Sequence, residues 1–310
     1  MNFLKSISLK NKNWFKTGGK AKFFSSPKNK NEFKQSLNFA QKQNLKIFIL
    51  GEGANVLISD EGFDGLVINP KLEKTEIKNS LITADAGVKI QDLIDFALKN
   101  NLVGPEEFSG IPGTIGGSVF INIHYIESFL SQFLVSAQII NKETTQIETV
   151  DKDWFEFGYD YSKLHEHKYF LINATFKLKK TTALKAAYAK GKSDEIIRQR
   201  KRLYPTSKTC GSFFRNFTAD EIPFKINNKK ITSVAYYLDK LGIKGELKVG
   251  DAAVSHKHVN MLVSTDNATS DDIAKLAKKI QQMVLDKFGI LPKPECILVG
   301  FKKYPLLEER

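Results

Sequence analysis

Sulfur and metal-binding side chains are scarce in this chain: its 310 residues hold two cysteines, Cys210 and Cys296, and five histidines. With no Cys-x-x-Cys, neither a disulfide framework nor a thiolate zinc site is suggested, and the cysteines are expected as reduced thiols. His256 and His258, like His165 and His167, sit two apart with no further ligand to complete a motif, so no metal is expected. Long apolar runs are missing too. Nothing approaches the roughly 18 apolar residues of a membrane span, and Met1 to Lys10 has no signal-peptide core, so a cytoplasmic location is expected. Internal repeats and low-complexity segments are absent, and with 42% hydrophobic and 26% charged residues the chain is ordinary for a globular protein. Its length suits two or three compact units. Acidic residues are the minority, 34 against 47 basic, for a formal charge of +13. The lysines are scattered, with one dense cluster at Arg198, Arg200, Lys201 and Arg202, whereas nucleic-acid binders concentrate charge on one face. No nucleic-acid partner is expected.

What the chain does have is glycine loops. Leu50 to Asp60 reads Leu-Gly-Glu-Gly-Ala-Asn-Val-Leu-Ile-Ser-Asp, and Ser109 to Ser118 reads Ser-Gly-Ile-Pro-Gly-Thr-Ile-Gly-Gly-Ser. Glycine lets a backbone approach a ligand closely and turn consecutive amides toward phosphate oxygens. The pair points to one large anionic ligand.

Periodicity predicts a helix over 33–45 with Phe33, Leu37, Ala40 and Leu45 on one face, then strands over 46–50, 66–69 and 80–84, and a helix over 90–101. A strand over 132–140 should place Phe133, Val135, Ala137 and Ile139 on one face and pair with 146–150 as a hairpin. Residues 169–178 alternate as another strand. A boundary is expected near Lys179-Lys180, followed by a basic helix over 193–203 capped by Ser193. Beyond it come a helix over 233–241, short strands over 249–263, and a helix opened by Thr269 to Asp272 and closed by Gly289.

Asn13-Trp14-Phe15-Lys16-Thr17-Gly18-Gly19, the two glycine loops, Gly211-Ser212-Phe213-Phe214-Arg215-Asn216, Gly250-Asp251-Ala252-Ala253-Val254-Ser255 and Pro294-Glu295 form an ordered set. Together they resemble the UDP-N-acetylenolpyruvoylglucosamine reductases, the MurB family of flavoenzymes in peptidoglycan synthesis, over almost the whole chain. The resemblance implies an α+β protein with a two-lobed vanillyl-alcohol-oxidase-type FAD-binding fold plus a C-terminal α/β substrate domain. Lobe 1 would be residues 1–72, with 290–310 returning to it, lobe 2 residues 73–182, and the substrate domain 183–289. FAD would be held by Gly51, Gly53, Ala54 and Asn55 in the first loop and by Ser109, Gly113, Thr114, Gly116 and Gly117 in the second. NADPH would reduce the flavin, which would pass hydride to the enolpyruvyl ether of UDP-N-acetylglucosamine. Ser212 would be the general acid, Glu295 would orient or polarise the enolpyruvyl group, and Tyr159, Arg200, Arg215 and Asn216 would bind the nucleotide sugar.

Two segments depart from the family pattern. Gly158-Tyr159-Asp160-Tyr161-Ser162 carries Asp160 where the family has an arginine that binds the substrate. Asn122-Ile123-His124-Tyr125-Ile126-Glu127 lacks two glycines of the family's Asn-x-Gly-Ala-Tyr-Gly. Either another cation substitutes, with Lys163, His165 and Arg215 the candidates, or the substrate differs. An FAD-linked oxidoreductase of another specificity and a non-catalytic nucleotide-sugar-binding protein are therefore the alternatives.

Overall fold

Phe33, Leu37 and Ala40 recur at helical spacing and form the buried face of the helix Lys30–Lys42. That helix starts before the first apolar residue because the Asn29 side chain accepts from the Glu32 amide and caps it. The computed structural model describes residues 1–308. The chain divides into two compact units, one of Met1–Lys5, Phe23–Glu52 and Gly65–Arg200, the other of Ser6–Lys22, Gly53–Asp64 and everything from Lys201 on. Between Glu52 and Gly53, inside the first glycine loop, the chain passes from one unit to the other.

The first unit is built on a five-stranded antiparallel sheet in the order Ile147–Asp151, Leu134–Asn141, Tyr169–Lys177, Leu81–Asp85, Thr75–Lys78. Its central strand, Tyr169–Lys177, is apolar on both faces and serves two cores. Phe170 and Ile172 pack with Phe33, Leu37, Leu66 and Ile68, while Leu171, Ala174 and Phe176 pack with Leu93, Ile94 and Ala97 of the helix Ile90–Lys99. A register shift against Leu134–Asn141 between Gln138 and Ile139 makes Ile172 an extra residue, so Leu171 shares a face with Ala174 and Phe176 while Phe170 and Ile172 turn to the other core.

The neighbouring strand corrects one expectation. Ala137 and Ile139 are buried as the alternation requires, but Val135 is 37% exposed and Leu134 is buried in its place. A register shift between Leu134 and Ser136 against Tyr169–Lys177 turns that end of the strand over. A second correction concerns the basic helix, which runs Ala183–Leu203. Ser193 lies in its middle, fully buried, with its hydroxyl 2.7 Å from that of Ser109. It is a packing residue and not a cap.

The second unit packs around Phe213, Phe214, Tyr237, Leu276 and Ile280. Its helix Ser270–Phe288 opens with a reciprocal Thr269/Asp272 cap and closes at Gly289 in the left-handed conformation, as the sequence predicts. Ile297–Val299 pairs in parallel with Val56–Ile58, and Lys248–Val249, Ala252–Val254 and Leu262–Ser264 make a small antiparallel sheet. Asp60, the last residue of the first glycine motif, accepts from the Gly18 amide and from both the amide and hydroxyl of Ser270. That carboxylate joins two of the ordered motifs to the start of the long helix.

Candidate active site

Gly51 and Glu52, the part of the first glycine loop that belongs to the first unit, meet the second loop there. A Cβ on Gly51 would lie 2.6 Å from the Thr114 hydroxyl, so a side chain there would separate them. The Gly113 amide donates to the Glu52 carboxylate at 2.7 Å, and Lys89 stands 3.1 Å from the same carboxylate. This pairing holds the Lys89 ammonium above its ordinary range. Neither Glu52 nor Lys89 is signalled by the sequence, because their connection to Gly113 exists only in the folded chain.

The glycines of the second loop do different things. Gly116 donates its amide to Ala86 and leaves little room beyond it, a Cβ meeting the Ala86 carbonyl at 3.1 Å. Gly117 is the reverse: it is exposed, its φ is ordinary, and an added Cβ would find only the Thr114 hydroxyl, at 3.8 Å. Internal packing does not require glycine at 117, and the open space leaves room for close approach from outside. Beside it the Ser118 hydroxyl is buried and finds no hydrogen-bond partner among the described residues. Such an orphan costs free energy unless a ligand satisfies it. Thr114 caps the turn by accepting from Gly117. An open glycine shoulder beside an unsatisfied hydroxyl fits a large polar cofactor such as FAD.

Ser109, at the start of this loop, is fully buried on Ser193, and its carbonyl accepts from Arg200 Nε at 2.9 Å. Arg200 also donates to the Glu107 carbonyl and lies 4.1 Å over the Tyr125 ring. Its guanidinium is therefore held in one orientation by the loop it borders.

The two departures from the family pattern face each other. The Asn122 side chain donates to the Gly158 carbonyl, and the Ser162 hydroxyl donates to the Phe120 carbonyl. Between these ties His124 Nδ1 lies 3.5 Å from Asp160 Oδ1, with side chains only 17% and 12% exposed. Tyr159 packs on the His124 ring at 4.5 Å, and burial pushes the imidazole below its ordinary value. Two of the cations proposed to replace the missing arginine are committed nearby. Lys163 pairs with Glu156, and His165 stacks on Phe120 at 3.9 Å.

In the second unit Ser212 and Glu295 belong to adjoining backbone segments. Ser212 bridges to Met261, the Phe213 amide donates to the Asn260 carbonyl, and the Phe213 carbonyl accepts from the Glu295 amide at 2.9 Å. Buried Asn260 completes the frame, its side chain bonding both the amide and the carbonyl of Phe214. The first-loop residue Asn55 donates to the Glu295 carbonyl, while its own oxygen is buried and has no hydrogen-bond partner among the described residues. Gly53 has no room for a side chain, since a Cβ would fall within 2.6 Å of Asn13 Cα, and Ala54 follows it half-buried. The two cysteines flank this frame, and burial beside the Cys296 thiol pushes Cys210 well up, so Cys210 stays protonated.

Arg215, the remaining candidate cation, makes a two-pronged pair with Glu221 at 2.9 and 2.6 Å, and Lys293 approaches the same carboxylate at 2.8 Å. Together they hold Glu221 well below the usual carboxylate range. Asn216 is exposed and accepts from the Val234 amide, at the start of the helix Val234–Lys240.

Residues 204–299 match the family model described as UDP-N-acetylenolpyruvoylglucosamine reductase, C-terminal domain, and residues 21–150 match the FAD binding domain model. A UDP-N-acetylenolpyruvoylglucosamine reductase from Caldicellulosiruptor saccharolyticus is 32% identical over 310 residues, covering 99% of this chain and 95% of the relative. One from Prochlorococcus marinus is 32% identical over 98% of this chain and 99% of its own length. Among solved structures the chain is similar in fold to the Thermus caldophilus reductase, with TM-score 0.78 at 23% identity over 97% of this chain and 100% of that one. At that identity and extent of coverage, with FAD-binding and C-terminal regions both matched, the chain belongs to the UDP-N-acetylenolpyruvoylglucosamine reductase family.

Proposed function

We propose that this chain reduces the enolpyruvyl ether of UDP-N-acetylglucosamine to the lactyl ether of UDP-N-acetylmuramate, at the expense of NADPH, as a cytoplasmic enzyme of cell-wall synthesis. The observation that carries the reading is identity with named reductases along essentially the whole chain, and the framed Ser212–Glu295 segment supports it. On this reading residues 1–72 with 290–310 and 73–182 are its two cofactor lobes and 183–289 its substrate domain, although the helix residues up to Arg200 cluster with the first compact unit and 309–310 lie outside the described residues. Gly51, Gly53, Ala54, Asn55, Ser109, Gly113, Thr114, Gly116 and Gly117 hold FAD, some through shape and some through contact. FAD, when bound, supplies the hydride it has received from NADPH.

The chain's own task is to bind, orient and protonate. Hydride added at the methylene carbon leaves an electron pair on the carbon that bears the carboxylate. The Ser212 hydroxyl gives that carbon its proton, and the Glu295 carboxylate orients the enolpyruvyl group. A hydroxyl is a weak acid, so the transfer relies on charge developing directly against it. Tyr159, Arg200, Arg215 and Asn216 bind the nucleotide sugar, the arginines as cations already held in place by their partners. Anaerobic mixing of the purified protein with NADPH and then the enolpyruvyl sugar tests both half-reactions: the flavin should bleach and then recover its colour. Bleaching without recovery would favour the second reading, the same fold with a different acceptor, which Asp160 specifically motivates.

A further inference from the structure

His124 and Asp160 lie one in each of the two segments at which this chain departs from its family pattern, and they are in contact with one another, 3.5 Å apart and largely buried. At 3.5 Å this is a contact at ion-pair distance rather than a hydrogen bond; a carboxylate there favours a proton on the facing ring nitrogen and leaves the other nitrogen for a second partner. The ring is also fixed mechanically. Phe129 stacks on one side at 5.2 Å and Tyr159 packs at 4.5 Å, while the ties from Phe120 to Ser162 and from Asn122 to Gly158 clamp the two segments together. Tyr159 itself is 42% exposed, so the clamp reaches the surface of its unit.

The charged groups around the ring are few. The segment 158–162 supplies Asp160 and two tyrosines. The strand Ser128–Phe129 that pairs with His124–Tyr125 supplies no titratable group, and Glu127 in the intervening turn is exposed. Under Tyr125, Glu106 accepts from the Gly104 amide, Glu107 pairs with Lys192, and Arg200 is held by two carbonyls and the Tyr125 ring. Alone with Asp160, a desolvated imidazole favours its neutral form. A second carboxylate arriving at the opposite nitrogen reverses that preference, because an imidazolium donates one N–H to each carboxylate.

We propose that His124, oriented by Asp160, is the anchor for the substrate's carboxylate, and that binding the enolpyruvyl sugar transfers a proton from solvent to this imidazole. The inference rests on the reductase reading, since that reading supplies a ligand bearing a carboxylate. His124 touches the ligand, and Asp160 acts through His124 as a positioning residue.

The test is calorimetric titration of the oxidised FAD-loaded enzyme with the enolpyruvyl sugar near pH 7.5, without NADPH, in two buffers of different ionisation enthalpy. The native protein should take up close to one proton per ligand, and affinity should weaken with rising pH by up to about tenfold per unit. His124→Gln should bind about ten- to a hundredfold more weakly at pH 6, with no proton uptake. Asp160→Asn should retain part of the uptake, with its pH profile displaced to lower pH. UDP-N-acetylglucosamine, which lacks the carboxylate, should bind native and His124→Gln proteins equally and without uptake. Retained flavin absorbance and melting temperature establish that both variants fold. Proton uptake unchanged in His124→Gln, absent in the native protein, or equal for the two sugars would overturn the inference. Flavin recovery on mixing reduced native enzyme with the enolpyruvyl sugar separates the two ideas. Recovery without proton linkage refutes the anchor alone, whereas absence of both binding and recovery removes the reductase reading and the anchor with it.

Discussion

A serine hydroxyl has little acidity of its own, and what sets Ser212 apart is how firmly its neighbours are held. Asn260 and the backbone of Glu295 take up the hydrogen-bonding groups of Phe213 and Phe214, so the position of the preceding hydroxyl follows from theirs. Replacing Ser212 by Ala leaves that frame intact. Reduction of the flavin by NADPH should then proceed at the native rate while product formation falls by about 10²- to 10⁴-fold, the range for loss of a positioned general acid. Stopped-flow measurement of the two half-reactions separates them, and equal losses in both would count against a proton role. Glu221 offers a residue-scale test of stability. Arg215 and Lys293 depress its carboxyl below the ordinary 4.5, so its contribution is complete above that pH and disappears as pH falls through the lower native value. The melting temperature of Glu221→Gln should lie below the native one by a constant amount above about pH 5. That gap should close on acidification, and a gap that persists in strong acid would assign the loss to packing.

Among the elements, the second glycine loop separates two uses of one residue type. A side chain at Gly116 would crowd Ala86, whereas Gly117 has open space before it. Gly116→Ala should therefore lower stability, and Gly117→Ala should not. Since Gly117 lies in the short helix Ile115–Phe120, alanine there can add up to about 1 kcal/mol of helix propensity. FAD affinity should nevertheless fall in Gly117→Ala, read from flavin fluorescence during titration of the apoprotein; unchanged affinity would place the cofactor elsewhere. These loops were legible in the sequence because glycine spacing is local, and so were the capped helix Ser270–Phe288 and the strand Tyr169–Lys177. The turned-over end of the Leu134–Asn141 strand was not, since a register shift depends on the partner strand. Nor was the helix start at Ala183, ahead of a serine that resembles a cap and is buried on Ser109. At the candidate site the motif residues could be named in advance, but Glu52 with Gly113, Asn260 with Phe214 and His124 with Asp160 are tertiary pairs that no local pattern announces.

At the scale of the molecule the surplus of basic residues, 47 against 34, gains meaning from the ligands of the proposed reaction, which are all polyanions. Ion pairs such as Lys71 with Glu73, Lys190 with Asp95 and Lys302 with Glu61 lie at the surface. Exposed pairs of that kind contribute about 0–1 kcal/mol each and are screened by salt. Their loss should barely move the melting temperature. Attraction of an approaching anion acts over longer distances, so it is more sensitive to screening. Raising ionic strength from about 0.01 M to 1 M shortens the Debye length from roughly 30 Å to about 3 Å. Over that range kcat/KM for NADPH should fall by about tenfold or more, carried by KM, with kcat and the melting temperature nearly constant. A parallel fall in kcat would locate the salt effect in the chemical step. If kcat/KM instead stays flat, the excess positive charge faces surfaces the nicotinamide nucleotide never crosses, and the lysines reflect composition alone.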